Sequence, residues 1–198
     1  MKKIIFATSN KHKVQELQNI FTSIKVLISS LNDGIKYPVP IENGASFAEN
    51  ADIKALHYSN KTSSYILADD SGLCVDALQG KPGIYSARFA GDNVTDLDNN
   101  LKLLQMMEGA SKRDAYFISA FSLALEGEII ARTIGKVKGV ILKEISGRGG
   151  FGYDPLFFYP PLNCSFSEMT NSQKNSVSHR YHAAVKMVDF LNNHGIIH

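Results

Sequence analysis

From Lys3 to Thr8 the chain runs Lys-Ile-Ile-Phe-Ala-Thr, a short apolar stretch that predicts a strand covered on both faces. It turns polar at Ser9-Asn10-Lys11, where Asn10 or Ser9 is placed to cap a helix whose Val14, Leu17 and Phe21 recur at helical spacing. Residues 25–29 predict a second strand, and residues 30–45, with Gly34, Pro38, Pro40 and Gly44, a loop. Ser46-Phe-Ala-Glu49 matches a capping box, in which hydroxyl and carboxylate each satisfy the other's end of a helix start. That helix is predicted to reach about Tyr58, with Ala48, Ala51, Ala55 and Tyr58 on one stripe and Asn50, Lys54 and His57 on another. Tyr65-Ile-Leu-Ala68 reads as a buried strand ending abruptly at Asp69-Asp70-Ser71-Gly72. After a turn-rich stretch through Pro82-Gly83, residues 95–108 predict a helix with Leu97, Leu101 and Leu104 inward, closed by Gly109. Ala115 to Val140 reads as two strands joined at Glu126-Gly127-Glu128, and Leu156 to Tyr159 as a short strand. Ser178 to Asn193 predicts a closing helix stopped at Gly195. Helices before, between and after strands imply an α/β fold around a mixed sheet.

The chain has 198 residues, enough for one substantial core that buries roughly 70% of the unfolded chain's surface. No repeat, low-complexity tract or linker marks a boundary, so a single domain over residues 1–198 is expected, with two lobes around a substrate cleft. A hydrophobic share of 44% excludes a wholly disordered chain, and no apolar run approaches the ~20 residues that span a bilayer. The apolar start is too brief for a signal peptide, and two cysteines, Cys74 and Cys164, indicate neither a disulfide framework nor a Cys-rich zinc site. A cytoplasmic protein is therefore expected. With 21 Lys+Arg against 19 Asp+Glu, the net charge of +2 gives no electrostatic case for a nucleic-acid binder.

Four segments carry candidate chemistry. Thr8-Ser9-Asn10-Lys11-His12-Lys13 joins a strand end to a helix start, where free N–H groups and two lysines suit a phosphate; the alternative is an ordinary capped turn. Asp69 and Asp70 follow a buried strand, where paired acids need a compensating cation or donors. They suit a hard metal, with Mg²⁺ favoured, and one could deprotonate a water; the alternative is a self-capping Asp-Ser-Gly turn. Because neighbours on an extended segment point opposite ways, only one of the two should face the reacting centre. Gly147-Arg-Gly-Gly-Phe-Gly-Tyr-Asp-Pro155 satisfies G-x-G-x-x-G by letter, yet Asp154 before Pro155 disfavours the helix that a dinucleotide fingerprint requires. Four glycines in six residues instead signal close backbone approach or a mobile loop on which Phe151 could stack on a flat base. Lys174 and Ser178-His179-Arg180 cluster cations near a helix start, suited to an anion or an oxygen-bearing base edge. His179 and His182 lack a third ligand for zinc, and a Walker A sequence is absent. Together the segments fit a nucleoside triphosphate carried with Mg²⁺ and attacked by water.

In order along the chain, Thr8-Ser-Asn-Lys-His-Lys13, Ser46-Phe-Ala-Glu-Asn50 with Lys54, Ala68-Asp-Asp-Ser-Gly-Leu73, Pro82-Gly-Ile-Tyr-Ser-Ala-Arg88, Gly149-Gly-Phe-Gly-Tyr-Asp-Pro155 and Ser178-His-Arg180 resemble the inosine triphosphate pyrophosphatases, or HAM1-like family, essentially end to end. The resemblance implies hydrolysis of ITP, dITP and XTP to monophosphate and pyrophosphate, a homodimer, and an elongated mixed sheet with flanking helices. It implies Asp70 as general base and metal ligand with Glu42 beside it, and Thr8 to Lys13 and Lys54 as phosphate contacts. Ser71, Phe151, Gly152, Tyr153, Asp154, Lys174, His179 and Arg180 are implied as further substrate contacts. Ser9 stands where a glycine is common in the family, and Ile41-Glu42 where many relatives have paired glutamates. A Maf-type pyrophosphatase of other modified nucleotides and a non-catalytic nucleotide sensor are the competing readings.

Overall fold

The computed structural model describes residues 4–8, 10–23, 28–31 and 38–197. Its strands are β1 (Ile4–Phe6), β2 (Ser29–Ser30), β3 (Tyr65–Val75), β4 (Asp114–Leu125), β5 (Glu128–Ile141), β6 (Phe157–Tyr159) and β7 (Cys164–Ser165). Its helices are α1 (Lys11–Ser23), α2 (Phe47–Ser59), α3 (Asp96–Met106), α4 (Asn171–Val177) and α5 (His179–Asn193). The strands form one mixed sheet in the order β2-β1-β3-β4-β5-β6-β7; β1 runs parallel to β2 and β3, whereas β6 runs antiparallel to β5 and β7. The expected α/β fold with a mixed sheet is what the chain adopts. The predicted strand at 25–29 appears only as its end, in β2, since Lys25 to Leu27 lie outside the described residues.

Two compact units divide the chain: residues 1–70, 119–135 and 179–198 in one, residues 71–118 and 136–178 in the other. In the first, alternation along β1 and β3 sends Ile4, Phe6 and Leu67 to one face, beneath Leu17, Ile20 and Phe21 of α1 and Ala184, Met187 and Leu191 of α5. Ile5, Ala7, Ile66 and Ala68 face the other way, against Ala55 and Tyr58 of α2. Helices on both faces explain why the opening strand reads as an unbroken apolar run. In the second unit Leu73, Val75, Leu103, Met107, Val137 and Leu156 surround an aromatic group in which the Phe117 and Phe157 rings lie 4.6 Å apart and the Phe157 and Phe166 rings 4.8 Å apart.

The hairpin forms as predicted, with Glu126 and Gly127 at φ of 51° and 83°, the left-handed pair of a tight two-residue turn. α5 stops as predicted at Gly195, whose φ of 62° lets the Ile196 amide bond back to the Leu191 carbonyl at 2.9 Å. At α2, Ser46 caps as predicted, accepting from the Glu49 amide at 3.2 Å, but the Glu49 carboxylate accepts from the Ala45 amide at 2.9 Å, one residue earlier than a capping box requires.

Two expectations are corrected. β3 does not end at Asp69 but continues through Gly72 to Val75. Asp-Ser-Gly is turn chemistry in isolation; here pairing along the strand and ion pairs to both acids keep the segment extended. α3 turns the wrong stripe inward: Leu97 and Leu101 are 54% and 52% exposed, Leu104 is half-buried, and Asn99, Asn100 and Leu103 are buried. Asn99 accepts from the Ala90 amide at 2.8 Å and donates to the Ala87 carbonyl at 3.3 Å, so specific hydrogen bonds, not apolarity, orient this helix.

Gly135 of β5 sits where an added Cβ would run into the His179 carbonyl and the Ala183 amide at the start of α5. Thr133 and Lys186 fasten the same contact, donating to the Ala183 carbonyl at 3.0 Å and the Ile134 carbonyl at 2.7 Å. Gly135→Ala should therefore cost about 3 kcal/mol by forcing helix and strand apart. Urea unfolding would check it; an unchanged midpoint would disprove the close packing.

Candidate active site

In the first unit the site starts at α1, where the Asn10 side-chain oxygen accepts from the amides of His12 at 2.9 Å and Lys13 at 3.1 Å. Two amides expected to be open to a phosphate are thus already bonded. Thr8 accepts from the Asn10 amide at 3.3 Å, Lys11 and His12 are exposed, and Ser9 lies outside the described residues. One turn further on, Lys13 points back along the helix to β3, its Nζ 3.2 Å from Asp69 Oδ2. Glu16, one turn beyond, accepts from Arg180 Nη1 of α5 at 2.8 Å, and Arg180 Nε lies 3.5 Å from Asp69 Oδ2. His179 is buried beside Arg180.

Asp69 is fully buried, and burial alone would raise its pKa. The cations of Lys13, Arg180 and Lys54 outweigh it and bring the carboxyl down from 3.8 to about 2. Lys13 does not gain in the mirror-image way: burial lowers its pKa, and the Arg180 and Lys54 charges add to that, more than Asp69 and Asp70 restore.

Next along β3, Asp70 belongs to a different set of partners. Asn50 Nδ2 donates to its Oδ2 at 3.1 Å, and Lys54 Nζ lies 3.6 Å from its Oδ1. Lys54 also donates to Glu42 at 2.6 Å. Asn50 is itself aimed by the Gly44 amide, which donates to its Oδ1 at 2.8 Å; a Cβ on Gly44 would lie 2.8 Å from that oxygen. Burial raises the Asp70 pKa, with Lys54 and Lys13 opposing. Burial would depress Lys54, but Asp70, Asp69 and Glu42 together hold its pKa above the ordinary value. The two acids have different partners: Asp69 meets Lys13 of α1 and Arg180 of α5, and Asp70 meets Asn50 and Lys54 of α2.

A divalent ion would need hard oxygen donors converging on one positive centre. Glu42 and Asp70 fit that demand, since both reach the Lys54 ammonium, a cation already standing between them. Among the described residues no three His, Cys, Asp or Glu side chains gather as a ready-made ligand set, and none forms around His179 and His182.

In the second unit, Gly150 and Gly152 take φ of 75° and 62° in the glycine-rich loop, and a Cβ on Gly150 would strike the Asp154 carboxylate. Asp154 accepts from the Phe151 amide at 2.9 Å and from Lys174 of α4 at 2.5 Å, and the Lys174 ammonium sits 4.5 Å from the centre of the Phe151 ring. The Tyr153 hydroxyl donates to the Ser86 carbonyl at 2.8 Å, and burial pushes its pKa up. Ser86 in turn accepts from the Leu73 amide at 2.9 Å, just beyond half-buried Ser71 in β3. The loop leads directly into β6 and not into an α-helix, as the rejection of a dinucleotide fingerprint requires. α4, which carries Lys174, and the buried asparagines of α3 were not anticipated. The only signal for α4 was Thr170-x-x-Gln173, whose capping box forms with Gln173 amide to Thr170 Oγ1 at 3.2 Å.

The sign of the Asp69 shift fixes a pH window. A carboxyl whose folded pKa is depressed stabilises the fold above its unfolded value, and that stability is lost as pH falls from about 4 toward 2. Asp69→Asn should remove this acid-sensitive component from a stability-against-pH curve. Near neutral pH it should cost about 3 kcal/mol, because buried Lys13 would lose its counter-charge while Arg180 keeps only Glu16. A variant with wild-type stability at neutral pH would show that the buried cluster is not held by this carboxylate.

Against known proteins, the family model described as the Ham1 family matches residues 4–190. A dITP/XTP pyrophosphatase of Thermoanaerobacter sp. (strain X514) is 44% identical over 192 residues, covering 96% of each chain. Among solved structures, the Staphylococcus aureus Ham1 protein superposes with a TM-score of 0.87 at 34% identity, over 98% of this chain and 100% of that one. A HAM1 protein from Coxiella burnetii superposes with a TM-score of 0.88, also at 34% identity and the same coverage. With sequence and fold matched along nearly their whole length, the chain belongs to the Ham1 family.

Proposed function

We propose that this protein hydrolyses non-standard purine nucleoside triphosphates (ITP, dITP and XTP) to the nucleoside monophosphate and pyrophosphate, clearing them from the nucleotide pool. The observation that carries the reading is Asp70: a carboxylate made more basic by burial and aimed by Asn50 and Lys54. The substrate class is supported by relatives 42–44% identical that are named dITP/XTP pyrophosphatases. Whole-chain identity of that order also supports one functional domain over residues 1–198.

In the reaction, water adds across the α–β phosphoanhydride: one P–O bond to the bridging oxygen breaks, and the water oxygen ends on phosphorus. Asp70 takes the water's proton as general base. Lys54 and Lys13 are the phosphate contacts, with Thr8, Ser9, Asn10, Lys11 and His12 around them. Mg²⁺ would be held by Glu42 and Asp70, supplying positive charge to the triphosphate and its leaving pyrophosphate. On the base, Phe151 supplies a stacking face and Gly152, Tyr153 and Asp154 the loop that carries it; Ser71, Lys174, His179 and Arg180 complete the substrate contacts. Donors such as the Arg180 guanidinium suit the 6-oxo acceptor of hypoxanthine and xanthine and meet the 6-amino donor of adenine unfavourably. The same family reading brings a cytoplasmic homodimer that acts on free nucleotides, not polymers.

Pyrophosphate release over a panel of triphosphates, with and without Mg²⁺, tests this. ITP and XTP should be cleaved well ahead of ATP; binding without release would favour a sensor, and preference for other modified nucleotides a Maf-type enzyme. Asp70→Asn should lower kcat by roughly 10²–10⁴-fold with the fold intact, and near-normal turnover would remove Asp70 as base. Because Asp70 must be ionised and its pKa is raised, the acid limb of kcat/KM should lie above the ordinary aspartate range. Lys54→Ala removes the leading charge that opposes that rise, so the limb should move to still higher pH; an unmoved limb would mean that another group titrates.

A further inference from the structure

Gly152 is pinned from outside its loop through both of its backbone groups. Its amide donates to Asp96 Oδ2 at 2.6 Å, and its carbonyl accepts from Asn100 Nδ2 at 2.8 Å. Asp96 and Asn100 are four residues apart on α3 and so share one helix face. The helix start that carries them is fixed by the Thr95–Asp98 capping box. Asn100 is only 3% exposed, and its second donated bond, to the Asp96 carbonyl at 2.8 Å, leaves no freedom for its amide to flip. That orientation leaves Asn100 Oδ1 buried with no hydrogen-bond partner among the described residues. Such an atom costs stability. An apolar side chain of similar size would escape the cost, so stability alone does not account for asparagine here.

What the pair does accomplish is local. A segment with four glycines in six residues loses much chain entropy on ordering and cannot hold itself. Gly152 lies directly between Phe151, whose ring faces the Lys174 ammonium, and Tyr153, whose hydroxyl is bonded to Ser86. We infer that Asp96 and Asn100 are positioning residues that hold Phe151 ready for the purine ring and so set the affinity for the base. This rests on Phe151 being the base contact proposed above. Both residues act on the loop backbone, so the chemical step itself is left alone.

The test uses Asn100→Leu and Asp96→Ala in the full-length enzyme, with Phe151→Ala as the reference for the base contact. Hydrogen exchange of the peptide spanning residues 147–155 should speed up in both α3 variants. KM for ITP should rise roughly three- to tenfold, the loss of one hydrogen bond, with kcat within about twofold of wild type. The ratio of kcat/KM for ITP over ATP should stay within about twofold of wild type, because a stacking face takes either purine. Thermal stability of Asn100→Leu should hold or rise, which a purely structural role would not allow. Unchanged KM in the α3 variants, while Phe151→Ala raises KM, would overturn the positioning role and leave the base contact standing. Unchanged KM in Phe151→Ala would overturn the base contact itself and this inference with it, whatever the exchange rates show.

Discussion

A carboxylate taken wholly out of water must be protonated or surrounded by positive charge, and Asp69 is surrounded. Lys13 reaches it from α1 and Arg180 from α5, the two helices that cover the same face of the strand that carries it. Apolar packing brings α1, β3 and α5 together, but apolar contacts slide; two charged groups held at 3.2 and 3.5 Å from one buried oxygen do not. Glu16 extends the constraint by clamping Arg180 from its other side. Everything the proposed chemistry requires of Lys13 and Arg180 depends on where this one carboxylate stands.

The cluster in the first unit is nearly neutral by construction. Lys13, Lys54 and Arg180 stand against Glu16, Glu42, Asp69 and Asp70, which leaves a single surplus negative charge. A triphosphate alone would meet carboxylates as well as ammonium groups, and the balance turns favourable when it arrives with a divalent cation. Lys54 is the pivot. It already joins Glu42 and Asp70, the two oxygen donors such a cation would use, and its raised pKa keeps it charged while it does so. The whole-chain charge of +2 hides this local opposition, and it is the opposition that suits a metal-carried nucleotide.

Much of the frame was legible in the sequence because local chemistry and tertiary structure agree there. The apolar run at Ile4–Ala7, the Asn10 cap, the Glu126-Gly127 turn and the Gly195 stop each need only near neighbours to explain them. Where the reading failed, a distant partner had overruled local preference. Asp69 to Gly72 has turn composition, yet charges from α1, α2 and α5 make an extended strand the better place for its acids. On α3 the leucine stripe and the asparagine stripe are both helical in spacing. Backbone groups at Ala87, Ala90 and Gly152 favour the asparagine stripe, and those lie outside the helix in sequence. The candidate residues of the site were readable by type and order; their partners were not, because Asn50, Glu16 and Asn100 look like ordinary polar helix residues.

Buried asparagine recurs as the device that fixes irregular backbone in each unit. In the first, the Gly44 amide sets Asn50, and Asn50 passes that order on by donating to Asp70. In the second, Asn100 grips the Gly152 carbonyl while Asp96 takes the amide. The amide side chain suits both places for the same reason. It can donate to an anion or a carbonyl with no net charge, so it orders a neighbour without moving that neighbour's pKa through a full charge. An aspartate at position 50 would set a second carboxylate against Asp70, and a lysine would pull its pKa down. A neutral donor aims the carboxylate, and its hydrogen bond lowers the pKa less than burial raises it. Glycine supplies the close approach and asparagine the direction, and the two together let segments with no regular structure hold groups at the distances chemistry needs.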